Sequence, residues 1–222
     1  QHITYLLLET PYLRWLWNTM LIAIGSTAIS LVSSLMAAYA IQRLRFRGSQ
    51  YLGIATFMSY MVPPTILFIP LAVVIMRLDL FDSPWALILT YPTFLIPFAT
   101  WLLMGYFKSI PRELEECASI DGASRATVFW RIVLPLSLPG VLSAGIFSFT
   151  LSWNEYLYAL VFLSSRMQKT VPVAVVTELV RGDVYNWGAL MAGALLGSVP
   201  VALVYSFFVE HYVAGMTGAL KE

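Results

Sequence analysis

Residues Asn18–Ile41, NTMLIAIGSTAISLVSSLMAAYAI, run for 24 positions without a charged side chain and end against Gln42-Arg43-Leu44-Arg45-Phe46-Arg47. As an α-helix this stretch reaches about 36 Å at about 1.5 Å per residue, more than the roughly 30 Å hydrocarbon core of a bilayer. Its apolar residues are continuous and do not alternate at period two, which excludes a barrel strand. Four further stretches read alike: Tyr51–Met76, Pro84–Phe107, Gly140–Leu163 and Trp187–Val209. Among the five, only the fourth carries a carboxylate, Glu155. The sequence therefore predicts an all-α, polytopic membrane helical bundle with five spans, a single transmembrane domain over residues 1–222.

Composition agrees. The 222 residues are 59% hydrophobic and 11% charged, with a mean hydropathy of +0.77, where a soluble domain has about 45–50% apolar and about 25% charged residues. The 13 Lys or Arg and 12 Asp or Glu cannot cover a globule of this mass, so a soluble enzyme is excluded. A formal net charge of +1 gives no whole-chain field that would attract nucleic acid. The single cysteine, Cys117, can form neither an intrachain disulfide nor a structural zinc site. His2 and His211 have no metal-ligating neighbours in sequence, so no metal site is expected.

Orientation follows from the basic residues between spans. Arg43, Arg45, Arg47, Lys108, Arg112, Arg125, Arg131 and Lys221 share one side, against Arg14, Arg77, Arg166, Lys169 and Arg181 on the other. The first side is expected in the cytoplasm, with the C-terminus there too. Five spans put the N-terminus outside, so an initial span of a six-span protein is expected to be missing from the chain; a true five-span protein is the alternative. Small residues such as Gly25, Ser26, Ser30, Ser34 and Ala38 allow close helix packing in the first span. Prolines at Pro63-Pro64, Pro70, Pro92, Pro97 and Pro200 interrupt the others, a pattern compatible with either plain packing or a pathway.

The loop between the third and fourth spans, residues 108–139, reads KSIPRELEECASIDGASRATVFWRIVLPLSLP. Pro111 suits a first helical position, and Arg112-Glu113-Leu114-Glu115-Glu116 places three carboxylates at the positive end of the helix dipole. Leu114, Cys117 and Ala118 share a face, and Asp121-Gly122 closes the helix with a residue able to take positive φ. Ser124 can cap a second helix leading through Val128, Arg131 and Ile132 to Leu134-Pro135. The small residues Cys117, Ala118, Gly122 and Ala123 would let another protein approach closely. An interfacial helix resting on lipid headgroups is disfavoured, because Glu113, Glu115, Glu116 and Asp121 would face an anionic leaflet.

Glu116-Cys117-Ala118, then Gly122, Ile132 and Leu134-Pro135, match the spacing of the EAA loop of permease subunits of ATP-binding-cassette importers. Six positions agree over 20 residues; Cys117 replaces the usual alanine. Asn18-Thr19-Met20, Ala37-Ala38-Tyr39-Ala40, Arg43–Gly48, Ser152-Trp153-Asn154-Glu155-Tyr156 and Val213–Lys221 are similar to the carbohydrate-uptake branch, specifically to the second permease of maltose-type importers. The resemblance implies a six-span fold in a bacterial cell (inner) membrane. It implies a heterodimer with a homologous second permease, two ATP-binding subunits and an extracytoplasmic solute-binding protein, all working in membrane lipid and without nucleic acid. No G-x-x-x-x-G-K-[ST] loop is present, so no cofactor is expected on this chain, and ATP and Mg would belong to the partner ATPase. Coupling to that ATPase would fall to Arg112, Glu113, Glu116, Cys117, Ala118, Asp121, Gly122, Ala123, Ile132, Leu134 and Pro135.

Glu155 with Asn154 marks a second candidate site, since a carboxylate within a span needs water, a cation or hydrogen-bond donors. Trp153, Tyr156 and Tyr158 suit sugar faces, so a translocation pathway is one reading; a lock between helices or subunits is the other. Tyr60, Pro63, Tyr91 and Thr93 are lesser pathway candidates. Ser164–Asn186 reads as charged and irregular, either a connector or a surface for the binding protein. The sugar or sugar-derivative reading competes with a non-sugar solute such as a phosphorylated glycerol derivative. A membrane-embedded enzyme using Glu155 lacks any second convergent catalytic group.

Overall fold

The computed structural model describes residues 2–44, 46–181 and 184–218. Arg45 and Lys221 lie outside them, as do the side chains of Arg181 and His211 and the end of the Val213–Lys221 segment. In chain order the helices are α1 His2–Glu9, α2 Tyr12–Arg43, α3 Ser49–Tyr60, α4 Pro64–Arg77, α5 Pro84–Thr90, α6 Pro92–Ser109 and α7 Glu113–Ile120. There follow α8 Arg125–Val128, a π turn at Phe129–Val133, α9 Leu134–Leu136, α10 Leu138–Trp153, α11 Leu157–Phe162, α12 Val171–Glu178 and α13 Trp187–Gly218. One antiparallel pair of two-residue strands, Val180–Arg181 with Val184–Tyr185, precedes α13.

Among the described residues, three helical segments are long and apolar enough to cross a membrane unaided: Tyr12–Arg43, Pro84–Ser109 and Trp187–Phe208. Two bent pairs bring the number to five, as the sequence predicts, but neither is the straight span that hydropathy suggests. The expected span Tyr51–Met76 turns by 93° between α3 and α4. Pro63 holds an extended backbone, ψ 128, in front of Pro64 at the start of α4, because a residue preceding proline is pushed out of the helical region. The expected span Gly140–Leu163 instead starts at Leu138, after a 73° bend from Arg125–Leu136. It stops at Trp153 and resumes at Leu157. Hydropathy averages over a window and does not register such bends.

α2 is the central element, with α6 and α10 packed along it. Ser26, Ser30 and Ser34 are fully buried there, and Ser26 Oγ meets Ser152 Oγ of α10 at 2.9 Å. Gly140 lets α10 approach α6: a β-carbon at that position would lie 2.4 Å from the Tyr106 ring. On α13, Met191, Leu195, Val199, Leu203 and Phe207 recur every fourth residue and are all exposed, forming an apolar stripe suited to lipid.

Ser164–Asn186, expected to be irregular, contains α12 and the strand pair and is pinned to α2. Trp15 Nε1 donates to the Arg166 carbonyl (2.7 Å), and Asn18 Nδ2 to those of Met167 (2.8 Å) and Lys169 (3.1 Å). Thr19 Oγ1 accepts from the Val171 amide at 2.9 Å. Asp82, in the α4–α5 connection, accepts from the Ser164 and Ser165 amides at 2.9 and 2.8 Å and from the Ser165 hydroxyl. Partial burial opposes its charge, but the hydrogen bonds from Ser165 and Ser164 outweigh it and hold the carboxyl below the usual carboxylate range. A depressed folded value means that this tie is intact above the ordinary carboxylate pKa of about 3.9 and is lost as pH falls through the folded value. The protection factors of the Ser164 and Ser165 amides, taken against the intrinsic rate at each pH, are therefore expected to hold from about pH 8 to 5 and to fall only in more acid solution. In Asp82→Asn, which tolerates the positive φ of 56, the acid-dependent step should vanish; a step that persists in the variant would assign it to another group.

Candidate functional site

The two helix breaks meet. Glu155 lies in the gap between α10 and α11, and its carboxylate caps the second half-helix. Oε1 accepts from the Tyr158 amide (2.9 Å), and Oε2 from the Ala159 amide (3.2 Å) and the Tyr91 hydroxyl (2.9 Å). The first amides of α11 have no partners within their own helix and carry the positive end of its dipole, so a carboxylate is the natural acceptor. Tyr158 in turn donates to the Pro64 carbonyl at 2.9 Å, tying the α10–α11 gap to the α3–α4 bend. Tyr60, Pro64, Phe94, Leu151 and Glu155 line a cavity of about 310 Å³.

Of the residues read from sequence as pathway candidates, Tyr60 and Glu155 share this cavity, and Tyr91 stands behind it, its hydroxyl bonded to Glu155. Tyr91 is fully buried beside Phe94 and Tyr158. Pro63 stands next to Pro64 at the bend. Thr93 bonds to the Thr90 carbonyl at 2.6 Å, and Tyr156 packs on the core around Tyr91. Asn154 is exposed and donates to the Thr150 carbonyl at 2.9 Å. Trp153 does not join this cavity: it is buried against Ala23 and Phe149 and donates to the Gly197 carbonyl at 3.1 Å. It lines a different, apolar cleft of about 540 Å³ between α10, α12 and α13, together with Asn154. Successive residues of a helix point about 100° apart, and α10 ends at Trp153, so adjacency in sequence did not put Trp153 beside Glu155.

At the other end, the loop 108–139 forms two short helices around a glycine turn. Gly122 has φ +85, and Ser124 Oγ accepts from the Thr127 amide at 3.2 Å, as a cap should. The first helix opens at Glu113 rather than at Pro111, with Glu113, Glu115 and Glu116 in its first turn. The face predicted to hold Leu114, Cys117 and Ala118 together divides. Ala118 and Ala123 turn inward onto a core of Tyr39, Phe107, Phe129 and Val133, while Leu114, Cys117 and Gly122 are exposed. Ile120, 85% exposed, joins them. Glu113, Glu116 and Asp121 are exposed and Arg112 half-buried. Ile132 and Leu134 are half-buried and Pro135 exposed, where the π turn leads into α10.

Two residues carry more of this loop than the sequence revealed. Arg43, expected only as an orientation signal, is buried and pairs with Glu115, Nη1 to Oε1 3.1 Å. Its Nη2 donates to the carbonyls of Phe107 and, at 2.8 Å, Ile110. Arg112 Nη2 donates to the Gln42 carbonyl at 2.9 Å. Both residues were visible as charges; their pairing across two spans was not.

Comparison with known proteins agrees with this architecture. Residues 29–218 match the family described as "Binding-protein-dependent transport system inner membrane component". The chain is 37% identical over 220 residues to the sulfoquinovosyl glycerol transport system permease protein SmoH of Agrobacterium fabrum, covering 96% of this chain and 75% of that protein. It is 34% identical over 209 residues to the trehalose/maltose transport system permease protein MalG of Thermococcus litoralis, covering 93% and 75%. A crystal structure of a bacterial ABC transporter that imports the acidic polysaccharide alginate has the same fold, with a TM-score of 0.80 at 22% identity over 95% of this chain and 79% of that one.

Proposed function

The chain belongs to the family of binding-protein-dependent transport system inner membrane components, the multi-pass permease subunits of ABC importers, and from this premise we propose that it forms half of a translocation pathway for a sugar or sugar derivative. The observation that carries the pathway is the meeting of two broken spans at one cavity lined by Tyr60, Phe94 and Glu155, the carboxylate that caps α11. Half-helix ends inside a bilayer leave backbone groups that need polar partners, and such gaps are where solutes and ions are held in transporters. Aromatic rings beside them offer apolar faces to a sugar while hydroxyl and carboxylate groups meet its hydroxyls. The naming of SmoH and MalG for glycoside transport supports the same solute class.

In this reading the chain pairs with a homologous second permease, receives solute from an extracytoplasmic binding protein and is driven by two ATP-hydrolysing subunits that hold ATP and Mg. Its C-terminus lies in the cytoplasm. The loop 108–139 docks in a cleft of one ATPase subunit through Leu114, Cys117, Ile120 and the Gly122 turn. Glu113, Glu116 and Asp121 form the acidic rim, and Arg112 ties the base of the loop to α2. Ala118, Ala123, Ile132, Leu134 and Pro135 seat the loop on the bundle. Closure of the nucleotide-bound ATPase pair then tilts the helices attached to α7 and turns the cavity outward.

The test is uptake by the complete importer in proteoliposomes. A panel of labelled sugars and glycerol phosphodiesters is offered with binding protein outside and ATP inside. Accumulation of at least one sugar that requires both components is expected; accumulation confined to the glycerol phosphodiesters would replace the solute class.

A further inference from the structure

Arg43 is placed to do more than mark the cytoplasmic end of α2. Its side chain is 3% exposed and that of Glu115 17%. Its two terminal nitrogens reach three acceptors at two places, Glu115 of α7 and the carbonyls of Phe107 and Ile110 at the end of α6. The guanidinium adds a second donor to the Phe107 carbonyl, which already accepts the Ile110 amide, and supplies a donor to the Ile110 carbonyl just beyond α6. A lysine offers a point charge on a flexible stem and cannot hold this three-way geometry. Arg112 adds a second tie from the loop to the Gln42 carbonyl of α2. A buried ion pair gives little net stability over well-packed apolar side chains; what this one supplies is a fixed relation between α2, α6 and α7.

That relation matters because of where α2 leads. The loop is joined by the chain to α6 and α10, so a push on α7 reaches those spans directly. α2 has no such connection. It touches the loop through Tyr39, whose ring lies 4.8 Å from Phe129 and 6.3 Å from Phe107, and through the arginine ties. Further along, Ser26 of α2 meets Ser152 two positions before Asn154, beside the gap that Glu155 caps. This contact joins α2 to the last turn of α10, next to Leu151, which lines the cavity.

We propose that Arg43 is a positioning residue for the ATP-driven step: with Glu115 it makes α7 and the end of α2 one rigid body, so that displacement of α7 moves α2 as well as α6 and α10. This rests on the reading that α7 docks on the ATPase. The experiment uses the whole importer in proteoliposomes, with this chain carrying Cys117→Ala and spin labels at Leu44→Cys and Ser119→Cys, both exposed positions. Because Cys117 and Ser119 lie on the docking helix, solute moved per ATP is compared between this labelled parent and the unsubstituted importer, and only a parent that matches it serves as the reference. The distance between the labels should be the same without nucleotide and with ATP bound. In Glu115→Gln it should broaden and shift, and solute moved per ATP hydrolysed should fall about tenfold, within the usual span of coupling between sites, while complex recovery and hydrolysis persist. If that complex is not recovered, Arg43→Lys, which keeps the charge and loses the fork, carries the same readout.

A nucleotide-dependent change in the parent distance overturns the proposal. So does an unchanged ratio of solute to ATP in an assembled variant, which is what a purely structural ion pair would give. Gly122→Val, run in parallel, reports the docking premise separately. Uncoupling by Gly122→Val without any effect of Glu115→Gln rejects the strut and keeps the docking, whereas no effect in either rejects the docking.

Discussion

A Gly122→Val subunit is expected to insert and assemble, yet to lose about 10- to 100-fold of ATP-driven uptake, the range that a coupling free energy of ordinary size supplies. The cause is conformational. Gly122 has φ +85 and a β-carbon built there meets nothing within 4 Å, so no clash is introduced. An L-residue in this region costs about 1–2 kcal/mol, and a β-branched one more, which is relieved by shifting the turn between α7 and Ser124. The turn sits on the exposed edge with Cys117 and Ile120, so a shift misplaces the surface proposed to dock on the ATPase while the apolar core beneath it stays intact. Gly122→Asn separates two roles: asparagine accepts positive φ. Recovery of uptake in the asparagine variant indicates that only the turn matters; failure with a normal fold means that the bare backbone itself is a contact surface. Glu116→Lys, on the same exposed face, should uncouple without altering insertion. Full uptake in Gly122→Val and Glu116→Lys alike would remove the loop from the coupling mechanism.

Glu155→Ala is expected to destabilise the subunit by roughly 2–4 kcal/mol, because neutral donors lose their acceptor at a half-buried position. Three donors lose their acceptor: the amides of Tyr158 and Ala159 and the hydroxyl of Tyr91. A donor left open away from water costs about 1–3 kcal/mol, and the two amides stand at the positive end of a half-helix. Glu155→Gln keeps one acceptor oxygen and should lose roughly half as much, while Tyr91→Phe removes a single hydrogen bond of about 1 kcal/mol. Thermal unfolding of the purified complex should therefore order the variants parent, Tyr91→Phe, Glu155→Gln, Glu155→Ala. Uptake adds the functional part. If the carboxylate also touches solute, Glu155→Gln raises the KM for uptake more than its stability loss explains. An alanine variant as stable as the parent would show that the carboxylate is not the cap of α11.

The sequence posed Glu155 as either a pathway group or a lock between helices, and the structure gives it features of both. Its oxygens hold α11 and Tyr91, and it borders a cavity with Tyr60. Neither feature was readable from residue spacing. Tyr91 is 64 residues away and its hydroxyl meets the carboxylate only after four helices have packed. Trp153 shows the converse. Next to Asn154 and Glu155 in sequence, it points into another interface and bonds Gly197, because the helix ends there and the chain changes direction.

Some of the chain was determined by sequence alone, wherever the physics is local. Charge-free runs of bilayer length gave the membrane location and five spanning segments, since desolvating a charge dominates any packing term. Gly122 and Ser124 marked the turn and cap of the loop, because positive φ and an open amide are requirements of single residues. Prolines at positions 63 and 64 marked where a span could fail. Tertiary structure alone decided that the second apolar run bends by 93°, that the fourth is entered through a 73° bend and breaks after Trp153, that Glu155 caps a half-helix, and that Arg43 is buried on Glu115 rather than free at the membrane surface. Each of these depends on which distant backbone and side-chain groups share a low-dielectric interior, and there a charge is tolerated only where partners from several helices converge.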